Sequence, residues 1–296
     1  MSIVLVDAYS QIFRMFYAVP MLNNPKGEPV NALMGMERLL LSLEKGLPSD
    51  FGAFAFDKGK ATRRCALCPE YKAQRPPMPD ALRSQIPHIM ETIEAFGWPI
   101  LMQEGLEADD LIAAVSHHRE EHDVNIITGD KDIAQLTEDP HVHLATCDKG
   151  DAWSFGGPEV VQAKFGVTLS WLGDYLALVG DTSDNITGVA GVGPKTASKL
   201  LTECGSLDDI LADIGGKVSN AKLAAKLEAS RDLIQRNRKL VALDSVLPEA
   251  WQGLETIRRK APDWDRLVAL AEENAFNKLL PVLKKHRDEA AQPMLF

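Results

Sequence analysis

The sequence predicts an α/β fold: a mostly parallel central sheet with helices on both faces, followed by a helical carboxyl-terminal region. Three observations carry that reading. Short apolar runs rich in β-branched or aromatic residues recur with helical patterning between them, as expected of a parallel sheet buried on both faces. Past about residue 157 the pattern changes to helices joined by short loops. Aspartates follow three of the apolar runs, at the strand ends where open parallel sheets bind ligands.

Taken in order, the strands are "SIVLV" (2–6), "FGAFAF" (51–56), "WPILM" (98–102) and "VNIIT" (124–128), with a fifth at "HVHLAT" (141–146). Between them, "NALMGMERLLLSLEKG" (31–46) repeats apolar residues at helical spacing and stops at Gly46. "EADDLIAAVSHHREEH" (107–122) opens on acids, which the positive end of a helix dipole favours. Helices then follow at "GPEVVQAKFG", "TLSWLGDYLALVG", "GPKTASKLLTECG" and the long "NAKLAAKLEASRDLIQRNRKLVAL", with no convincing strand pairs among them. The predicted division is a core over 1–157, a helical region over 158–288 and a flexible tail over 289–296, the frayed stretch being "RDEAAQPMLF".

At 296 residues and 45% hydrophobic content the chain can bury a substantial core. No apolar run approaches the roughly 20 residues that span a bilayer, which argues against a membrane partner. The start "MSIVLVDAYS" lacks a basic leader and a small-residue cleavage pattern, so the expected location is the cytoplasm. Four scattered cysteines make no disulfide scaffold, and the Cys65/Cys68 pair, with no second pair or nearby histidine, reads as reduced thiols. The net charge of −10 runs against nucleic-acid binding, yet from Lys58 to Arg83 seven basic residues face two acids.

The chemistry lies in the acids. Asp7 follows the first strand, Asp57 the second, and Asp130 and Asp132 the strand ending at Thr128; Glu107, Asp109 and Asp110 occupy the first turn of a helix one short loop after "WPILM". Gathered in one cleft, these seven carboxylates would repel one another unless cations neutralised them. Oxygen ligands without histidine or cysteine favour magnesium, with manganese able to substitute, over zinc. Asp181 and Asp184 raise the set to nine, enough for two metal positions, an arrangement suited to in-line attack on a phosphodiester.

In "GDTSDNITGVAGVGPKTASKL" (180–200), Gly188 and Gly193 have the spacing of a nucleotide-binding loop. Pro194 intrudes before Lys195 and Thr196 and no strand precedes them, which argues against one. The alternative is a helix-hairpin-helix: Gly191 and Gly193 allow a tight turn, Pro194 suits the first helical position, and free N–H groups at the helix start receive a phosphate. An ordinary turn between two helices stays open.

"FD" (56–57), "PEYKAQRPPMP" (69–79), "EGLEADDLIA" (104–113), "TGDKD" (128–132), "YLALVGDTSDNITGV" (175–189) and "GVGPKTASKLL" (191–201) together resemble the bacterial 5′ nuclease family. That family includes the 5′ to 3′ exonuclease domain of DNA polymerase I and the flap endonucleases. The resemblance implies a PIN-like core, a helical arch over about 58–83, and metal-dependent cleavage of branched or nicked DNA in replication and repair. By resemblance, Asp7, Asp57, Glu107, Asp109 and Asp110 hold a first metal, and Asp130, Asp132, Asp181 and Asp184 a second. Lys72 approaches the scissile phosphate, with Tyr71 and Arg75 beside it in the arch. Arg63, Arg64, Lys195, Thr196 and Lys199 are expected to contact DNA, and the backbone at Gly188, Val189 and Gly191 to hold a potassium ion. RNA primers on DNA are compatible substrates, and a monomer is expected.

One departure is Ala8, where the family usually has glycine, so its methyl is expected to crowd the approach to Asp7. The chain also looks free-standing, and "QPMLF", with Gln292, Leu295 and Phe296, resembles a short peptide that binds the bacterial sliding clamp. A rival reading, a non-catalytic DNA-binding accessory protein, would need the hairpin and basic loop but not the carboxylates.

Overall fold

The computed structural model describes residues 2–147 and 152–292. Six strands, β1 (Ser2–Asp7), β2 (Phe51–Ala55), β3 (Ile100–Leu101), β4 (Asp123–Ile127), β5 (Val142–Cys147) and β6 (Trp153–Gly156), form one sheet in the order β3-β2-β1-β4-β5-β6. All pairs are parallel except β5 with β6. Val6 pairs with both Phe54 and Ile127, so the chain leaves β1, β2 and β4 along one edge, at Asp7, Asp57 and Thr128.

Around the sheet lie α1 (Ala8–Ala18), α2 (Asn31–Gly46), α3 (Thr62–Leu67), α4 (Asp80–Arg83), α5 (Ile86–Ala95) and α6 (Ala108–His117). The second half holds α7 (Pro158–Phe165), α8 (Leu172–Val179), α9 (Pro194–Cys204), α10 (Leu207–Ala212), α11 (Ile214–Lys217), α12 (Ala221–Ala229) and α13 (Arg231–Val241), then α14 (Trp264–Glu273) and α15 (Leu280–Ala290). One core cluster joins Val4, Leu33, Phe54 and Trp98 to Leu267 and Leu283, so the last two helices pack back on the sheet. A second covers the opposite face through Leu111 and Ile112 of α6. A third unites α8, α9 and α13 with Tyr71 and Cys68 of the basic loop. Each fully buried large side chain such as Trp98 or Phe54 contributes roughly 2–3 kcal/mol of apolar burial.

Four expectations need correction. The "WPILM" strand shrinks to Ile100–Leu101: Pro99 has no N–H to donate to the ladder, and Trp98 turns edge-on to Phe54. Among the described residues beyond 157 there is one strand pair, β7 (Gly180–Asp181) with β8 (Ile186–Thr187), too short to show an alternating pattern. The long helix of 220–243 breaks at Ser230 into α12 and α13. Arg287 to Ala290 belong to α15, so the tail starts later than expected; Gln292 is exposed, and Leu295 and Phe296 lie outside the described residues. Cys65 and Cys68 are both free thiols.

Candidate active site

Asp7 ends β1 and caps α1: Oδ1 accepts from the Ser10 N–H at 3.1 Å, and Oδ2 from Thr128 Oγ1 at 2.8 Å. Asp57 ends the β2 run and accepts from the Ala108 N–H at 2.7 Å, which fastens the start of α6 beside it. Glu107 caps α6 in a reciprocal box with Asp110, so Glu107, Asp109 and Asp110 are fixed by the helix start itself. Asp7, Asp57, Glu107, Asp109 and Asp130 line one cavity of about 390 Å³, with Lys72 and Arg75 opposite. Asp130 is shared with an adjoining cavity of about 280 Å³ lined by Asp132, Asp181, Asp184 and Lys131. Eight of the nine predicted acids therefore line two connected cavities; Asp110 stands behind them.

The basic loop is not a free arch. Lys72, at φ 55°, donates its N–H to the Asp184 carbonyl at 3.0 Å and pairs its ammonium with Glu107. Arg75 Nη2 reaches Asp184 Oδ1 at 2.6 Å, and Gln74 donates to the Thr182 carbonyl at 2.9 Å. Tyr71, buried, donates its hydroxyl toward Glu107 at 3.1 Å and Asp184 at 2.9 Å, tying the two halves of the site together. Asn185 closes the loop by donating to the Glu70 carbonyl at 2.7 Å.

Arg64 contradicts its expected place on DNA. It is 2% exposed, with Nη1 at 2.6 Å from both Glu107 and Asp110, Nη2 at 2.8 Å from Asp110 and Nε on the Leu240 carbonyl. A guanidinium this enclosed can serve only the protein: it neutralises and orients the start of α6. Arg63 is also tied down, to the carbonyls of Lys239 and Ala242 and to Asp244 at 3.2 Å, though part of it reaches solvent. Both Asp110 oxygens are engaged by Arg64, and one also by the Asp244 N–H, so Asp110 helps to orient the start of α6 while lying within reach of Glu107 and Asp109. Ala8 is wholly buried and packs in the core cluster beneath β1 and β2.

The electrostatics separate the acids. Burial pushes the Asp7 carboxyl up to about 6 and Asp132 up to about 7, and raises Asp57 and, well above the usual range, Asp109. Asp132 Oδ1 is buried without a hydrogen-bond partner. Asp181 goes the other way: burial would raise it, but Lys131 at 2.6 Å and the Ser183 N–H and hydroxyl draw it below its ordinary value. Lys72 and Arg75 are disfavoured by burial, yet the facing acids raise both, so both stay charged. Oxygens of Glu107, Asp109 and Asp110 lie within 4.8 Å of one another. A set of buried all-oxygen donors with an orphaned Asp132 oxygen fits a hard divalent cation.

The hairpin region begins with Gly188, where a Cβ would strike the Val179 backbone, and turns at Gly191, φ +78°. The Val189 N–H bonds the Leu178 carbonyl, and its carbonyl accepts from Val192. Gly193 is the N-cap of α9 with Pro194 in its first turn; Lys195 and Lys199 are exposed and, with the half-buried Thr196, line a cavity of about 400 Å³. Lys226 brings its ammonium against Gly191, where a monovalent cation was expected. Sequence reading missed Lys131 and the two aromatics Tyr9 and Phe13 that wall the first cavity. The signals were present: a lysine inside "TGDKD", and aromatics four apart just after Asp7.

Two family descriptions match the chain: "5′-3′ exonuclease, N-terminal resolvase-like domain" over residues 2–166 and "5′-3′ exonuclease, C-terminal SAM fold" over residues 167–265. A 5′-3′ exonuclease of Aquifex aeolicus is 35% identical across 100% of this chain and 99% of its own length. DNA polymerase I of Pseudomonas aeruginosa is 38% identical over 98% of this chain but only 32% of its own; the chain spans about a third of the polymerase relatives it matches. Among solved structures, the bacteriophage T5 flap endonuclease complexed with DNA and metal ions is similar at 25% identity and TM-score 0.68, covering 92% of this chain and 100% of that one. The T5 5′-exonuclease with bound zinc gives 26% and 0.67, over 82% of this chain and 90% of that one.

Proposed function

Because the chain belongs to the 5′-3′ exonuclease family, we propose that it is a divalent-metal-dependent, structure-specific 5′ nuclease that hydrolyses phosphodiester bonds in branched or nicked DNA. The observation that carries this is the convergence of strand-end acids from β1, β2 and β4 with the start of α6, opposite Lys72 and Arg75. Asp7, Asp57, Glu107, Asp109 and Asp130 would hold one cation, and Asp130, Asp132, Asp181 and Asp184 a second. Magnesium suits these donors, and manganese could replace it. When bound, such ions lower the pKa of water and offset charge on the reacting phosphodiester.

The chain's own residues do the rest. Lys72 and Arg75 release Glu107 and Asp184 and turn to the phosphate, where their charge is placed before reaction. Tyr71 keeps Glu107 and Asp184 at a fixed separation. Amides at the start of α9 with Lys195, Thr196 and Lys199 grip the duplex backbone, which carries no sequence information. The hairpin carbonyls could hold potassium, with the Lys226 ammonium as its competitor. We place the protein in the cytoplasm, as a monomer, acting in replication and repair on DNA flaps and on RNA primers paired to DNA. Among the described residues no helix is long and apolar enough to cross a membrane. A sliding clamp is a proposed partner of "QPMLF"; removal of residues 292–296 should abolish clamp retention in a pulldown.

The test is cleavage of a 5′-labelled flap duplex with magnesium, with EDTA and with Asp130→Ala. Junction cutting that needs both metal and Asp130 supports the reading. Binding without cutting under magnesium and manganese alike would select the accessory-protein alternative.

A further inference from the structure

On the far side of α1 from the acids, a second kind of cavity opens. Its volume is about 320 Å³, and it lies between α1, α2 and the carboxyl ends of β4 and β5. Tyr9, Ser10 and Phe13 of α1 face the catalytic cavity, whereas Gln11, Arg14 and Met15 face this one, as a turn of 3.6 residues dictates. Three features mark it as built for an anion. Gln11 is 1% exposed, and its amide nitrogen has no hydrogen-bond partner. Arg14 and Arg38, both exposed at the rim, make no ion pair or hydrogen bond among the described residues, whereas most arginines of this chain are paired with a carboxylate. No carboxylate lines the cavity among the described residues, in a chain of net charge −10.

We infer that this cavity binds the phosphate of a nucleotide, with Arg14, Arg38 and the Gln11 amide as donors and the apolar surface of Met15 and Leu39 under the base or sugar. Two guanidinium forks match phosphate oxygens, and an orphaned buried amide donor gains the partner it lacks. Thr128 connects the two sites: it lines this cavity and donates to Asp7, so a ligand here sits one helix width, roughly 10 Å, from the acids. The phosphate could belong to a DNA strand continuing past the cleft or to a free mononucleotide such as a cleavage product. The strand source rests on the nuclease reading; the cavity itself does not.

The test is binding in EDTA, where no cutting occurs, using the full chain. Fluorescence anisotropy with a labelled flap duplex would compare wild type, R14Q/R38Q, T146F and the distant pair K278Q/K285Q. Thr146 is exposed at the cavity wall, so T146F fills the space and leaves the charge unchanged. R14Q/R38Q and T146F should each weaken binding about tenfold, the arginine pair should flatten the salt slope by about two, and the distant pair should cost less than about twofold. Unchanged melting temperatures would certify the fold. Wild-type affinity for T146F, or an equal loss in the distant pair, overturns the inference. Displacement of DNA by dAMP in wild type but not in T146F assigns a mononucleotide; no displacement with the T146F effect intact assigns a strand phosphate. A wild type that binds no DNA defeats the nuclease reading, and calorimetry with dAMP then decides the cavity: binding lost in T146F supports it, no binding overturns it.

Discussion

Asp7 and Asp181 line adjoining cavities that share Asp130, yet the fold treats their charges in opposite ways. Burial drives Asp7 up to about 6, and Asp57 and Asp109 upward with it, even though Lys72 pulls both of the latter down and Arg64 lies 3.7 Å from Asp109. Asp181 instead has Lys131 at 2.6 Å, which holds it ionised below its usual range. The difference teaches that the two halves of the site meet metal from different starting points. In the first half Asp7 and Asp57 have no cation in contact, although Glu107 and Asp109 are paired with Lys72 and Arg64; in the second, Asp181 must surrender Lys131 to take a metal.

The largest way to break that comparison is substitution of the two halves in turn. Asp109→Asn removes a carboxylate from the first half and should cut flap cleavage by about 10³-fold while leaving EDTA-phase DNA binding intact. Calorimetric titration with manganese should lose its tighter event in the same variant. Asp181→Asn should lose less activity, by at least about tenfold, since the cation it would hold competes with Lys131 in the wild type as well. Equal losses in both variants would erase the distinction between the halves.

A smaller effect is the pH dependence of stability without divalent ions. Asp7 and Asp132 hold protons in the folded state at pH values where the unfolded chain, with carboxyls near 3.8, has released them. The unfolded state binds fewer protons, so stability falls as pH rises from about 4 through about 7, a loss on the order of a few kcal/mol, and buried Glu37, pushed up to about 8, carries the decline further. Millimolar magnesium should flatten the slope by occupying the oxygens. Thermal melts from pH 5 to 8 in EDTA and in magnesium measure both; a metal-free stability that rises over this window would show that Lys72, Lys131 and Arg75 already satisfy the cluster.

All nine acids were named from the sequence, but only the strand-end acids could be placed by local pattern, for a physical reason. Asp7, Asp57 and Asp130 follow apolar runs whose burial on both faces fixes their register, so the strand ends, and the acids on them, are set by local pattern. Asp181 and Asp184 lie on β7 and in its turn, a pair of two-residue strands with no periodicity to read. Arg64 shows the same limit from the other direction. Its basic neighbours in 58–83 suggest solvent, and only the packing of α3 against α13 shows that it turns inward to Asp110. Ser230, with neither glycine nor proline beside it, gives no warning of the break between α12 and α13. Arg14 and Arg38 come from different helices, so their common cavity exists only in three dimensions.

The smallest expected effect sharpens the comparison most directly. Lys131 is about one-third exposed and its pair with Asp181 is partly solvated, so Lys131→Met should change the melting temperature little, consistent with less than about 1 kcal/mol for such a pair. Its consequence for metal should be larger than its consequence for folding. With the ammonium gone, Asp181 keeps only Ser183 as a donor and faces Asp132, whose carboxyl burial has already pushed up to about 7. A divalent ion then no longer displaces a lysine, and the magnesium concentration giving half-maximal cleavage should fall severalfold. The methionine also fills much of the lysine's volume, so loss of packing does not confuse the result. Half-saturation that stays unchanged would mean that Lys131 leaves Asp181 at no cost, and that the two halves of the cleft differ in burial alone.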